Sequence, residues 1–208
     1  MEGTEDLPNK WSKRLLAFNT TAIPVENLYK YEEERYGTTP CRFLYFKNDK
    51  EHKLGTTPLP NGRIQVYRQV DPQRHLSYEG GSSIQYIPVG QKAEVNLGNV
   101  RNVVVKPKLM RFRIENITFS WNGGISGYDK VEDWEIEVRN RRSIPVRIEI
   151  TRNYHTPHWD ISQKLPPQVK WEKIDLDTGR YTLTLQPNST ITIPYTLRRY
   201  TGDRARRH

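Results

Sequence analysis

The sequence predicts an all-β protein with little or no helix. Apolar and polar residues alternate with period two wherever a period can be read, and the alternating runs are short and punctuated by Gly, Pro and Asn. No long amphipathic helical pattern interrupts them. At 208 residues the chain fits one large β-domain or two small ones, and either is long enough to bury a core without a disulfide or a metal.

Taken in order, strands are expected at 28–32, 42–47, 63–70, 75–79, 83–87 and 93–97, with Gly80-Gly81 as a tight turn between two of them. A turn or two of helix is the most that residues 10–16 suggest. From Leu109 to Trp121 the apolar phase slips, because Phe112 and Ile114 share one face while Ile117, Phe119 and Trp121 fall on the other. A bulge near Glu115 and Asn116, or a strand that crosses between sheets, would restore one buried face. Further on, Trp134, Ile136 and Val138 alternate with Asp133, Glu135, Glu137 and Arg139, and Val146, Ile148 and Ile150 repeat the pattern. The polar Asn140-Arg141-Arg142-Ser143 between these runs is short enough for a hairpin. Tyr181, Leu183 and Leu185 form the next run, Pro187-Asn188-Ser189 turns the chain, and Ile191, Ile193, Tyr195 and Leu197 complete the set. Pro194 has no N–H to donate, which places this last strand at an edge or kinks it.

These runs suggest two stacked β-sandwich domains. Patterning is irregular before Lys106-Pro107-Lys108 and complete after it, so the expected division is a tail or linker at 1–18, a first sandwich at 19–107, a second at 108–200 and a basic tail at 201–208. The second unit approaches the roughly 100 residues of an immunoglobulin-like sandwich, without the cysteine pair of antibody domains.

Cys41 is the only cysteine, which excludes an intramolecular disulfide and a Cys-rich zinc site. It lies in the apolar run Cys41-Arg42-Phe43-Leu44-Tyr45-Phe46, where a buried, inert thiol is expected. The first ten residues are polar and acidic, unlike a secretory signal, and no stretch approaches the roughly 20 apolar residues of a membrane span. The formal charge is +9. Much of it is local, in Arg101, Lys106, Lys108, Arg111 and Arg113 and again in Arg198, Arg199, Arg204, Arg206 and Arg207. Such strips either solubilise strand faces or attract anions.

Several stretches read together resemble one family, the domain of unknown function at the C-terminal end of mucoidy-inhibitor-like proteins. They are Ile23-Pro24-Val25-Glu26, Phe46-Lys47-Asn48, 58–67 (PLPNGRIQVY), Ile87-Pro88-Val89-Gly90-Gln91, Val95-Asn96-Leu97-Gly98, 135–140 (EIEVRN), Pro145-Val146-Arg147-Ile148 and Trp159-Asp160-Ile161. The likeness runs over about residues 20–200. It implies a family with no settled enzymatic activity and no functional motif to carry over, and it suggests a bacterial, envelope or extracellular setting.

No catalytic, cofactor or metal constellation emerges from the residues. His155 and His158 flank Thr156-Pro157 with Asp160 close by, but Pro157 puts them in a loop where spacing fixes no ligand geometry. Glu132, Asp133, Glu135 and Glu137 are the densest acids, and alternation sends the last three to a solvent face rather than to a glycosidase pair. No Gly-x-Ser-x-Gly elbow is present, and Gly123-Gly124-Ile125-Ser126-Gly127 lacks the ending of a phosphate loop. Trp121, Asn122 and Tyr128 frame that glycine segment as a candidate surface for a sugar or a partner. The sequons at Asn19, Asn116 and Asn188 matter only in a glycosylating host. The function expected is therefore a non-catalytic structural or adhesive module that contacts a protein partner or itself. The alternative is an anion or acidic-polysaccharide binder using Arg101, Lys106, Lys108, Arg111 and Arg113, with nucleic acid a poor fit.

Overall fold

The computed structural model describes residues 9, 10, 12 and 19–206, so the helical turn expected at 10–16 lies almost wholly outside the described residues. In chain order the elements are β1 (Glu26–Glu32), α1 (Glu33–Tyr36), β2 (Cys41–Lys47), β3 (Gly62–Gln69), β4 (Leu76–Ile84), β5 (Lys92–Asn99), β6 (Val103–Phe119), β7 (Ile125–Asn140), β8 (Val146–Asn153), β9 (Trp159–Gln163), β10 (Val169–Lys173), β11 (Thr178–Leu185), β12 (Thr190–Gly202) and α2 (Asp203–Arg206). A six-stranded sheet of order β10-β11-β8-β1-β2-β5 packs on a four-stranded sheet of order β6-β7-β12-β9, and β3-β4 forms a two-stranded ribbon.

Alternation explains why the two larger sheets close on each other. Ile148 and Ile150 from β8, with Tyr181, Leu183 and Leu185 from β11, meet Ile136, Val138, Ile193, Tyr195 and Leu197 of the opposite sheet in one buried cluster. Tyr29 and Tyr31 of β1 belong to that same cluster, because β1 pairs in parallel with β8, Leu28 opposite Arg147 through Glu32 opposite Thr151. A smaller cluster of Leu54, Leu59, Ile87 and Ala93 lies beneath the loops of the first half.

This arrangement departs from the division expected at Pro107. Pro107 lies inside β6 and pairs with Ile136, and the six-stranded sheet draws strands from both sides of it. The physical reason is that β1 buries its two tyrosines in the later strands' core, so no separate sandwich closes over 19–107. Strands β6 to β12 divide four and three, as in an immunoglobulin constant-type sandwich. Their order differs from that type, because β7 lies between β6 and β12, the seventh strand of the unit, where the fifth would be expected.

Two turn assignments also change. Gly80-Gly81 does not turn the chain; β4 runs straight through it, with a bulge where Gly80 pairs with Val66. Gly80 takes φ +137 and a Cβ there would stand 3.0 Å from the Leu97 carbonyl, while one on Gly81 would stand 2.4 Å from the Ile64 carbonyl. Close approach of neighbouring backbone is what these glycines serve. Asn140-Arg141-Arg142-Ser143 is a corner between sheets rather than a hairpin, since β7 and β8 face each other across the core. Pro194 does not put β12 at an edge, since β12 lies between β7 and β9; it stands one residue before the β9 ladder begins at Tyr195, so its missing N–H leaves no β9 partner unpaired.

Two buried asparagines hold the loops to this frame. The Asn140 side-chain amide donates to the carbonyls of Ile144, Leu185 and Gln186, and its Oδ1 accepts from the Arg142 N–H. Asn48, at the end of β2, repeats the arrangement with the carbonyls of Thr57, Ile87 and Pro88 and the Gly55 N–H. Each ties together segments that no ladder joins. Asn140→Ala and Asn48→Ala each strand several buried groups, so urea unfolding should show a loss of about 2–4 kcal/mol for either. A loss below about 0.5 kcal/mol would mean that water replaces these bonds without penalty.

Candidate functional site

Strand length sets up the most distinctive surface. β6 and β7 are 17 and 16 residues long, whereas β8 has 8 and β1 has 7. At about 3.3 Å per residue the hairpin reaches some 55 Å, about twice the span of the strands it packs upon. Its far half is therefore an arm. The phase slip read in the sequence is a real bulge: the register breaks between Glu115 and Thr118, and Asn116 adopts φ 51.

The bulge does not bury the apolar face, because nothing in the opposite sheet reaches it. Leu109, Phe112 and Ile114 pair with Trp134, Glu132 and Lys130, which continue the core-facing side of β7. These three side chains remain about half exposed, Phe119 is 65% exposed and Trp121 at the tip is 99% exposed. Sequence reasoning took this row for core. The signal that could have found it was the unbroken length of the two alternating runs, far beyond the usual strand of five or six residues.

The opposite face of the arm is charged, and its charges are matched across strands. Lys106 pairs with Glu137, Lys108 with Glu135, Arg111 with Asp133 and Arg113 with Val131. Ion pairs follow this layout: Lys108 Nζ lies 2.9 Å from Glu137, and Arg113 bridges Asp133 and Glu115. The basic strip and the acidic cluster, which look like separate features along the chain, are two halves of one ladder. Arg101 stands apart, exposed just before β6.

The arginines of the tail close the same face. Arg198 reaches Glu115 at 2.8 Å and Asp129 at 3.0 Å, and Arg204 of α2 holds Asp129 at 2.8 Å. Asn116, displaced by the bulge, donates to Asp129 at 2.7 Å. Arg199 turns to the other side and pairs with the buried Glu132, which also accepts from Trp134 Nε1 at 3.0 Å. Val131 is buried between its direct partners Arg113 and Arg198, and stems of this kind cover apolar surface while their heads stay polar. Arg207 lies outside the described residues.

The remaining expected site residues separate. Asn122 shapes the tip rather than offering its amide, since its Oδ1 accepts from Ser120 Oγ and from Gly124 N–H. Tyr128 lies within the ladder opposite Thr201, so it does not frame the loop with Trp121. His155 pairs with Glu34 at 3.2 Å, and among the described residues no three His, Cys, Asp or Glu side chains gather as metal ligands. Cys41 is buried with Sγ 2.8 Å from Asn99 Oδ1, and burial pushes its thiol pKa up. Two concavities carry charge. One of about 390 Å³ lies beside Glu33 and Arg152, and one of about 320 Å³ holds Arg42, Arg68 and Arg142, of which the first two share Glu79. No helix among the described residues is long and apolar enough to cross a membrane.

Comparisons with family models, with curated proteins and with solved structures found no match for this chain. The arm thus carries one side on which Leu109, Phe112 and Ile114 stand beside Lys130, Glu132 and Arg199, one charge-matched side and an open strand edge.

Asp129 is the charge on which the outer part of the arm depends. Hydrogen bonds from Arg204, Asn116 and Arg198 outweigh its burial and hold the carboxyl down at about 2. A depressed carboxyl stabilises fully above its unfolded value of about 4, and the contribution is lost as pH falls toward 2. Stability should drop through that window in the parent and drop less in Asp129→Asn, as read by denaturant midpoints at stepped pH. Asp129→Ala should cost about 3 kcal/mol at neutral pH.

Proposed function

We propose that this chain is a non-catalytic structural or adhesive β-sandwich module that makes protein–protein contacts through the β6–β7 arm. The observation that carries the reading is the row Leu109, Phe112 and Ile114, held half exposed on a rigidly buttressed arm that ends in the fully exposed Trp121. Apolar surface kept in water forgoes roughly 25 cal/mol per Å², and contiguous exposed patches of this kind mark interaction sites. A resemblance to the mucoidy-inhibitor-like C-terminal domain is consistent with a scaffold role, because the stretches that carry it include the asparagines Asn48 and Asn140.

Charge-driven anion binding finds less support. Lys108 and Arg113 of the strip and the arginines at 198, 199 and 204 pair with acids within the protein, which leaves Lys106 and Arg111 of β6 outside the ion pairs of the described residues.

A photo-reactive benzoylphenylalanine placed at Phe112 and, as a control, at the exposed Thr184 on the far sheet tests the reading in extracts of the source organism. A discrete adduct from position 112 alone is expected, lost when Leu109, Ile114 and Trp121 are changed to Ser. The same products from both positions, or none from either, would refute the arm as a contact surface.

A further inference from the structure

We propose that the open edge of β6 accepts an extended segment of a partner protein as an added strand, and that this segment alternates acidic with apolar residues. The inference rests on the reading of the chain as a protein-contact module and specifies the chemistry of the partner.

β6 is the outermost strand of its sheet, and among the described residues it pairs only with β7. Its other side therefore presents backbone groups in a row, the starting condition for strand addition. Side chains on the two faces then decide what strand fits. One face presents Lys106, Lys108, Arg111 and Arg113, and the other presents Leu109, Phe112 and Ile114. Among the described residues no ion pair involves Lys106 or Arg111, and both are exposed.

β7 shows what this pattern accepts, because it already lies against the same side chains. Asp133, Glu135 and Glu137 stand opposite Arg111, Lys108 and Lys106, and Trp134 stands opposite Leu109, while Glu132 and Lys130 stand opposite Phe112 and Ile114. A strand on the opposite edge meets the same two rows in the same cross-strand relation, so its best complement sets acids against the cations, as β7 does, and apolar side chains against Leu109, Phe112 and Ile114.

A second copy of β6 is the competing occupant, and charge disfavours it. Antiparallel pairing of two β6 edges sets Lys and Arg against Lys and Arg on one face, which is destabilising. Edge cations, Pro107 and the three register breaks, at Leu109/Arg111, Glu115/Thr118 and Thr118/Phe119, are also devices that keep strands from pairing indiscriminately. Here the same cations select an acidic partner, and the register breaks leave regular stretches of edge at Val103 to Leu109 and Arg111 to Glu115 for it to pair with.

The probe is a synthetic peptide of residues 129–138, DKVEDWEIEV, with capped ends, titrated to millimolar concentration into the isotopically labelled full chain. Saturable shifts confined to β6 amides between Lys106 and Glu115 are expected. Affinity should fall about three- to tenfold in the double variant Lys106→Gln, Arg111→Gln, which removes charge without placing new acids beside Glu137 and Asp133. A peptide carrying Lys at positions 133, 135 and 137 should bind more weakly by at least as much, and added salt should weaken the parent peptide. Absence of saturable shifts, equal binding of the reversed peptide, shifts confined to other strands, or self-association through β6 in place of peptide binding would overturn the proposal. Any of these together with a position-112 adduct removes the acidic strand and leaves the contact module standing.

Discussion

The ladder between β6 and β7 is the constraint on which the rest of this structure depends. It runs from Val103 opposite Asn140 to Phe119 opposite Ile125, and its two ends live in different surroundings. Near Val103, Val105, Ile136 and Val138 it forms one wall of the core, where burial fixes the register. Toward the tip no second sheet lies beneath it. The same alternation that makes a core at one end therefore makes an exposed apolar row at the other.

An unsupported two-stranded ribbon is marginal in water, and the molecule answers this with charge and a third strand. β12 follows β7 as far as Gly202 opposite Gly127, and α2 then brings Arg204 onto Asp129. Asn116 can reach the same carboxylate because the bulge turns it there. The acidic and basic residues on the outer face thus act first on the arm's own order. What that face leaves unmatched is the half-exposed row of Leu109, Phe112 and Ile114 and the β6 edge.

Much of the strand pattern was legible because it depends on nearest neighbours. Alternation located β7, β8, β11 and β12, and the phase slip between Ile114 and Ile117 located the bulge at Asn116. What was not legible depends on partners distant in sequence. Gly80 and Gly81 have the composition of a turn, yet their role comes from the Leu97 and Ile64 carbonyls pressed against them. The cations of β6 could be read along the chain as a solubilising or an anion-attracting strip, and that the acids of β7 stand opposite them needs the register. The parallel seating of β1 on β8 has no local signature, and it is what joins the first half of the chain to the core. The arm's exposure follows from a mismatch of strand lengths, a comparison that needs the sheet order first.

The central claim is that the arm is formed and uncovered in the free protein. Amide hydrogen exchange of the uncomplexed chain tests this most directly. The account predicts that the β7 amides from Tyr128 to Asp133 are strongly protected, nearly as well as those from Trp134 to Val138, while the tip at Trp121 to Gly124 exchanges freely. Exchange of Tyr128 to Asp133 at the rate of an unstructured chain would show that the arm is not preformed, and the contact surface built on it would fall.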